Sequence, residues 1–304
     1  MSNKFSDFPS GFDQGVLIKQ LPLLQSFGGN LYWIDSGAGG GERGTFNHPV
    51  LSINNAMDLV TASNGDILVM KQGHAETITA ATSAVMDVAG VALVGLGNGS
   101  LTPTLTYTTA AAATLSITAA NCLVNNVRLV SDLENTAITK GITLGASADG
   151  CILSNIHSRE SADTDVFTTV ISVTADCDDI IIENCRHYGA AGAAQEWLEL
   201  LGGSDRSIIR GNLVYGDFSV DVLTATAALS SYLTIQDNNF ANIDTSAGKG
   251  VECHASTTGW LQRNRFYGAK NGVDGFTADG MYIDDNQYTN AANADVIAAF
   301  SDDS

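Results

Sequence analysis

Proline is scarce in this sequence. Four occur in 304 residues (Pro9, Pro22, Pro49 and Pro103), so nothing after Pro103 forbids a strand. A chain poor in proline and rich in Gly, Ala, Ser, Thr and Asn suits uninterrupted strands joined by tight turns. Charge is scarce as well. Charged residues make up 15% of the chain, low for an ordinary globular surface. What charge there is leans one way: 14 Lys and Arg face 33 Asp and Glu, a net −19. That field repels DNA, RNA and anionic membranes, so neither nucleic acid nor membrane is an expected partner. No run of 18 apolar residues is present, which removes the transmembrane helix. The stretch from Phe5 to Gly15 is polar and broken by glycine, without the apolar core of a signal peptide, so folding in a reducing cytoplasm is expected. The five cysteines (Cys122, Cys151, Cys177, Cys185, Cys253) are odd in number and form no C-x-x-C pair. They are expected to be buried free thiols, with no metal site and no cofactor.

What the sequence does have is a repeat. An apolar triplet, one or two polar residues and an asparagine recur as LVGLGN, CLVNN, CILSN, IIIEN, IIRGN, TIQDN, WLQRN and YIDDN. The asparagines are Asn98, Asn126, Asn155, Asn184, Asn212, Asn238, Asn264 and Asn286, spaced by 22 to 29 residues. Leu or Ile stands three before each of the last seven: Leu123, Ile152, Ile181, Ile209, Ile235, Leu261 and Ile283. A repeat of this period predicts stacked coils, each too small to bury its own apolar side. The segments between asparagines lack helical periodicity, which excludes long helical crossovers. Asparagine tolerates the left-handed backbone of a sharp turn. Its amide can also bond to copies about 4.8 Å above and below. All eight are therefore expected to form one structural column that sets register. An apolar residue returns one position after Asn126, Asn155, Asn184 and Asn212 (Val127, Ile156, Cys185, Leu213). It returns two positions after the next three (Phe240, Phe266, Tyr288). The turn is predicted to lengthen by one residue, with the cross-section changing near residue 225.

The expected fold is all-β: a right-handed parallel β-helix, a three-sheet solenoid with an N-terminal capping helix. Ile53, Ala56, Met57 and Val60 fall at helical spacing, placing the capping helix near 49–62 inside a β-helix spanning 31–290. Residues 1–30 do not fit the repeat and are expected to be an N-terminal anchoring arm, with Phe5, Phe8 and Phe12 as aromatic anchors. Residues 291–304 are expected to be a C-terminal cap or tail. The stretch Tyr32-Trp33-Ile34-Asp35-Ser36-Gly37, then Gly44-Thr45, Pro49, Ile53 and Ala56, then Gly65-Asp66-Ile67-Leu68-Val69 and Gly73, resembles the opening of pectin-lyase-like right-handed β-helix proteins. It is especially similar to those encoded by tailed bacteriophages. The resemblance implies the fold for roughly residues 30 to 290. For function it implies a range, from lyases and hydrolases to adhesins and virion structural proteins.

Linear catalytic motifs are missing. Polygalacturonase-like members of this fold carry an Asn-Thr-Asp, an Asp pair, a Gly-His-Gly and an Arg-Ile-Lys. Of these this chain has only aspartate pairs, among them Asp178-Asp179 and Asp284-Asp285, expected to be solvated turn residues. No cluster of Asp and Arg matches a calcium-binding pectate-lyase-like site. His74-Ala75-Glu76 lacks the P-C-x-x-C partner of a zinc deaminase, so His74 is expected to be a turn residue. Paired carboxylates could still meet from different coils.

Residues two and four before the early asparagines are also apolar, among them Leu96, Val124, Leu153 and Ile182. With the Leu/Ile column on one face, these are expected on the other, as a partner interface of a homotrimer. The chain is thus expected to be a non-enzymatic phage virion protein, a trimeric capsid decoration or cement protein contacting other virion proteins and assembled in the host cytoplasm. The alternative is a tail-associated spike that binds or cleaves a host surface polysaccharide.

Overall fold

Each coil of the chain is three short strands separated by turns, and each strand pairs in parallel with its counterpart one coil on. The computed structural model describes residues 29–39, 42–189, 192, 194–244, 248–268 and 275–290. Residues 1–28, with Phe5, Phe8 and Phe12 of the expected arm, and residues 291–304, the expected C-terminal cap, lie outside the described residues. One coil runs through Leu123–Asn125, Arg128–Ser131 and Ile138–Leu144, and the next begins at Ile152–Ser154. Stacking gives three parallel sheets. The first has ten strands, Leu31–Ile34 to Tyr282–Asp284, and the second nine, Ala75–Ile78 to Gln287–Asn290. The third has eight, Ala84–Met86 to Phe276–Thr277. This is the expected right-handed parallel β-helix. The helix at its front is one short turn set, Ile53–Met57, capped by the Ser52 hydroxyl and burying Ile53, Ala56 and Met57. It is shorter than 49–62, and Leu59 and Val60 pack against the core from outside the helix.

Strand residues alternate between core and outside, and identical positions stack. Val124, Leu153, Ile182, Ile209, Ile235 and Leu261 form one inward column of fully buried side chains. Each contributes about 1.5–3 kcal/mol by leaving water. This corrects the expected interface: Val124, Leu153 and Ile182 line the interior and cannot meet a partner. Leu96 does lie on the outer side, where with Leu31, Trp33 and Ala92 it packs against buried Ile67, Val69 and Val94. The outward column beyond it is Leu123, Ile152, Ile181 and Ile208, each half-buried.

The faces are the reverse of those expected because the asparagines occupy two columns, one residue out of step. Asn126, Asn155 and Asn184 take the left-handed corner, with φ of 56°, 53° and 54°. In the next coils that corner belongs to Gly211, Asp237, Arg263 and Asp285, all at positive φ. Asn212, Asn238, Asn264 and Asn286 sit one residue later, buried, in the column that holds Cys185 one coil earlier. Asn98 belongs to neither column: its backbone is extended, and Gly95 is the residue level with Asn126. The expected lengthening of the turn disappears with this shift. Val214, Phe240, Phe266 and Tyr288 are in one register, while Leu213 points outward and is exposed.

The buried asparagines form a continuous ladder. Asn238 shows the pattern. Its Oδ1 accepts from the Asn212 backbone N–H at 3.0 Å and from Asn212 Nδ2 at 2.9 Å. Its Nδ2 donates to the Ile209 carbonyl at 2.9 Å and to Asn264 Oδ1 at 3.0 Å. Both donors and both acceptor lone pairs of the amide are used. A second left-handed column, absent from the sequence expectation, turns the chain from the third sheet to the first at Asn121, Gly150, Asp179, Arg206 and Tyr232. All five cysteines are buried and free. His74 is buried too, and does more than occupy a turn. Its Nδ1 accepts the Ser36 amide, and Nε2 stands 3.2 Å from Glu76, whose carboxylate accepts the Ile53 amide.

The two kinds of asparagine are expected to differ in energetic weight. Asn238→Ala strands several buried donors and acceptors and should cost on the order of 3 kcal/mol or more. Asn155→Ala loses mainly a tolerant left-handed residue, about 1–2 kcal/mol. Urea denaturation of both variants checks the difference, and equal costs would contradict the two-column description.

Candidate active site on the outer face of the third sheet

The third sheet breaks strict alternation at one level, where Gly141-Ile142, Val170-Ile171 and Trp197-Leu198 each bury two consecutive residues, and carboxylates gather at the last of these. In Glu196–Leu200 the consecutive residues Trp197 and Leu198 are both fully buried. Their two amides share one acceptor, the Val222 carbonyl, at 3.0 and 3.1 Å. That is a β-bulge, a device that re-aims side chains. The two consecutive core residues leave Glu196 and Glu199, three apart in sequence, on the same outer side, as Lys140 with Thr143 and Thr169 with Ser172 are in the preceding coils. Pairing then extends the outward column: Thr143, Ser172, Glu199, Thr224, Glu252 and Thr277 stand one above another. Beside it run Lys140, Thr169 and Glu196.

The carboxylates fall into two kinds. Glu199 is held by Lys140 Nζ at 2.6 Å and accepts from the Ser172 hydroxyl. Glu252 is held by Lys249 Nζ at 2.8 Å, which also reaches Thr277 Oγ1 at 2.6 Å. The lysine holds the Glu252 carboxyl below its usual range. Glu196 and Asp221 are different. Glu196, buried and accepting from Thr169 Oγ1 at 3.1 Å, is pushed up to about 7 by burial and then by the charges of Glu199 and Asp221. Asp221 is pushed up to about 6, by burial first and the neighbouring Glu252 carboxylate next, although the Lys249 amide donates to its Oδ1 at 2.6 Å. Asp221 Oδ2 and Thr224 Oγ1 are buried and make no hydrogen bond among the described residues. Two carboxyls that keep a proton to near-neutral pH thus lie beside two carboxylates held by lysines. That division is the arrangement used to separate acid and base roles.

The aspartate pair and the buried histidine of the second sheet are structural. Asp178 and Asp179 both bind the exposed Arg206 guanidinium, at 3.0 and 2.8 Å. His187 is enclosed against Ser158 Oγ at 3.0 Å, and burial lowers its pKa to about 3, keeping it neutral. Among the described residues no group of three or more His, Cys, Asp or Glu is placed to hold a metal ion. No helix among them is long and apolar enough to cross a membrane.

No family model matches the chain, and no curated protein matches it either. Among its solved likenesses are two carbohydrate-cleaving enzymes. A GH136 lacto-N-biosidase from Eubacterium ramulus is similar over 84% of this chain and 67% of that one, with a TM-score of 0.42 and 10% identity. A rhamnogalacturonan lyase is similar over 88% of each chain, with a TM-score of 0.42 and 9% identity. Likeness at this level concerns the fold: the pectin-lyase-like right-handed β-solenoid. The expectation of a non-enzymatic capsid-decoration protein is not upheld and is withdrawn: the solved structures found carry the names of enzymes, a lacto-N-biosidase and a lyase. Chemistry on this chain is indicated by the carboxylate cluster itself. Sequence inspection missed Glu196, Glu199, Asp221 and Glu252 because they come from three coils. The signal was Glu-Trp-Leu-Glu, two acids flanking two core residues, legible only once a bulge is allowed.

The raised carboxyls fix a sign. From the ordinary carboxylate range up to about pH 7, native Glu196 retains a proton that the unfolded chain releases, so its burial costs stability increasingly as pH rises through that window. Glu196→Gln is expected to be more stable than the parent at about pH 8 and similar at about pH 4. Thermal midpoints at the two pH values check this.

Proposed function

We propose that the chain acts on a polysaccharide, hydrolysing glycosidic bonds on the outer face of the third sheet. One observation carries the reading: the consecutive core residues Trp197 and Leu198 leave a proton-retaining carboxyl, Glu196, beside a lysine-held carboxylate, Glu199, on one outer surface. Glycoside hydrolysis needs such a pair, one carboxyl to protonate the leaving oxygen and one carboxylate to attack the anomeric carbon or activate water. In this assignment Glu196 is the general acid, poised near neutral pH where acid catalysis is most effective. Glu199 is its partner, oriented by Lys140 and Ser172. Asp221, Glu252 and Thr224 lie farther along the stack, where a linear substrate following the coils would meet their oxygen atoms. This is the polysaccharide-directed alternative of the sequence reading, supported by the fold's likenesses only in architecture.

The test is a panel of purified polysaccharides assayed for new reducing ends. Release by the parent chain is expected, falling above about pH 7 as Glu196 loses its proton. Glu196→Gln and Glu199→Gln should each lower the rate at least about 100-fold. Unsaturated products absorbing in the ultraviolet would contradict hydrolysis, and full activity in Glu196→Gln would contradict the assignment.

A further inference from the structure

The outward side of the second sheet differs from the rest of the surface. Its strands alternate cleanly, so two columns face out. One passes through Arg128, His157, Arg186, Leu213, Asn239 and Arg265. The other passes through Val130, Arg159, Tyr188, Tyr215, Ala241 and Tyr267 in the same coils. In a chain with 33 acidic residues, no Asp or Glu occupies an outward position of this sheet from Ala75–Ile78 to Gln287–Asn290. Arg159, Arg186 and Arg265 form no ion pair among the described residues, whereas Arg206, Arg210 and Arg263 elsewhere each hold a carboxylate. His157, between Arg128 and Arg186, is held below its usual pKa by burial and then by both guanidiniums. Arg128, Arg159, Arg186 and Arg265 therefore line one face, and among the described residues no acidic side chain shares the outward positions of its strands. Tyr188 is 66% exposed, and its ring lies parallel to that of Tyr215, centroids 5.4 Å apart and planes 11° apart.

We propose that this face binds an acidic polysaccharide, one bearing carboxylate or sulfate groups, laid along the axis of the stack. Guanidiniums take carboxylate and sulfate through paired N–H donors. Phenol hydroxyls on neighbouring coils take sugar hydroxyls. Coils about 4.8 Å apart present these donors at a repeat close to that of successive sugar rings. The −19 net charge does not cancel this local field, because screening limits it to about 8 Å at physiological salt. A single-stranded nucleic acid fits less well: it needs open aromatic faces for base stacking, and Tyr188 and Tyr215 turn those faces to each other. The surface is separate from the Glu196 cluster on the third sheet, so binding here stands whether or not that cluster cleaves.

The experiment is affinity electrophoresis of the full chain in gels containing polygalacturonate, neutral dextran or an oligothymidylate. To keep cleavage out of the measurement it is run on the parent and on Glu196→Gln in parallel. Retardation by polygalacturonate is expected in both, weakening as salt is raised and absent with dextran. Arg159→Gln with Arg186→Gln should weaken it at least about tenfold. Tyr188→Phe with Tyr215→Phe, which keeps the rings and only removes hydroxyls, should weaken it less and leave the thermal midpoint unchanged. Overturning results are retention unaffected by the arginine pair, equal retention on dextran, tighter retention by oligothymidylate, or no retention by polygalacturonate. Loss of retention in Glu196→Gln alone would also overturn it, by placing the bound polymer on the third sheet.

Discussion

The bond from one asparagine amide to the next, coil after coil, is the constraint on which this molecule depends. From Asn212 to Asn286 it recurs at 2.9 to 3.0 Å, with every partner buried. A parallel sheet whose strands are three or four residues long has few other means of fixing register. A slip of one residue would exchange the two faces of every strand it touched. The ladder spans the coils that carry Thr224 and Glu252 and begins just after the coil that carries Glu196 and Glu199. Register held at the asparagine corner is thus what keeps carboxylates of separate coils in one outward column.

With register fixed, the chemistry follows from local differences in solvation and charge. Glu199 and Glu252 each meet a lysine, whereas Glu196 and Asp221 meet burial and neighbouring negative charge. The same residue types therefore reach opposite protonation preferences within one patch. On the second sheet the selection runs the other way: acids are absent from its outward positions, and arginines stand there without ion pairs among the described residues. Two sheets of one solenoid consequently present surfaces of opposite character, one fitted to proton transfer and one to holding anions.

Most of the architecture was legible in the sequence because the repeat was. The apolar triplets, the near-constant period and the scarcity of proline point to stacked parallel strands, and the stack has that form. The registration of the repeat was less legible. Asparagine serves as a left-handed corner at Asn126, Asn155 and Asn184, and as a buried amide at Asn212 and beyond. The two uses differ by one residue, and aligning the letters merges them. That single step turns Val124, Leu153 and Ile182 outward and suggests a trimer interface where the core lies. The carboxylate cluster was hidden for a related reason: two consecutive core residues break the period of two, and its members are contacts between coils with no linear motif.

Proton-retaining carboxyls beside lysine-held carboxylates are what make the third sheet a candidate for catalysis. A carbon-13 NMR titration of the side-chain carboxyls, with Glu196 and Asp221 assigned by substitution, measures this directly. The two are expected to titrate at about 7 and about 6. If both have lost their protons by about pH 5, within the ordinary carboxylate range, the cluster is a solvated acidic surface and the catalytic assignment is wrong.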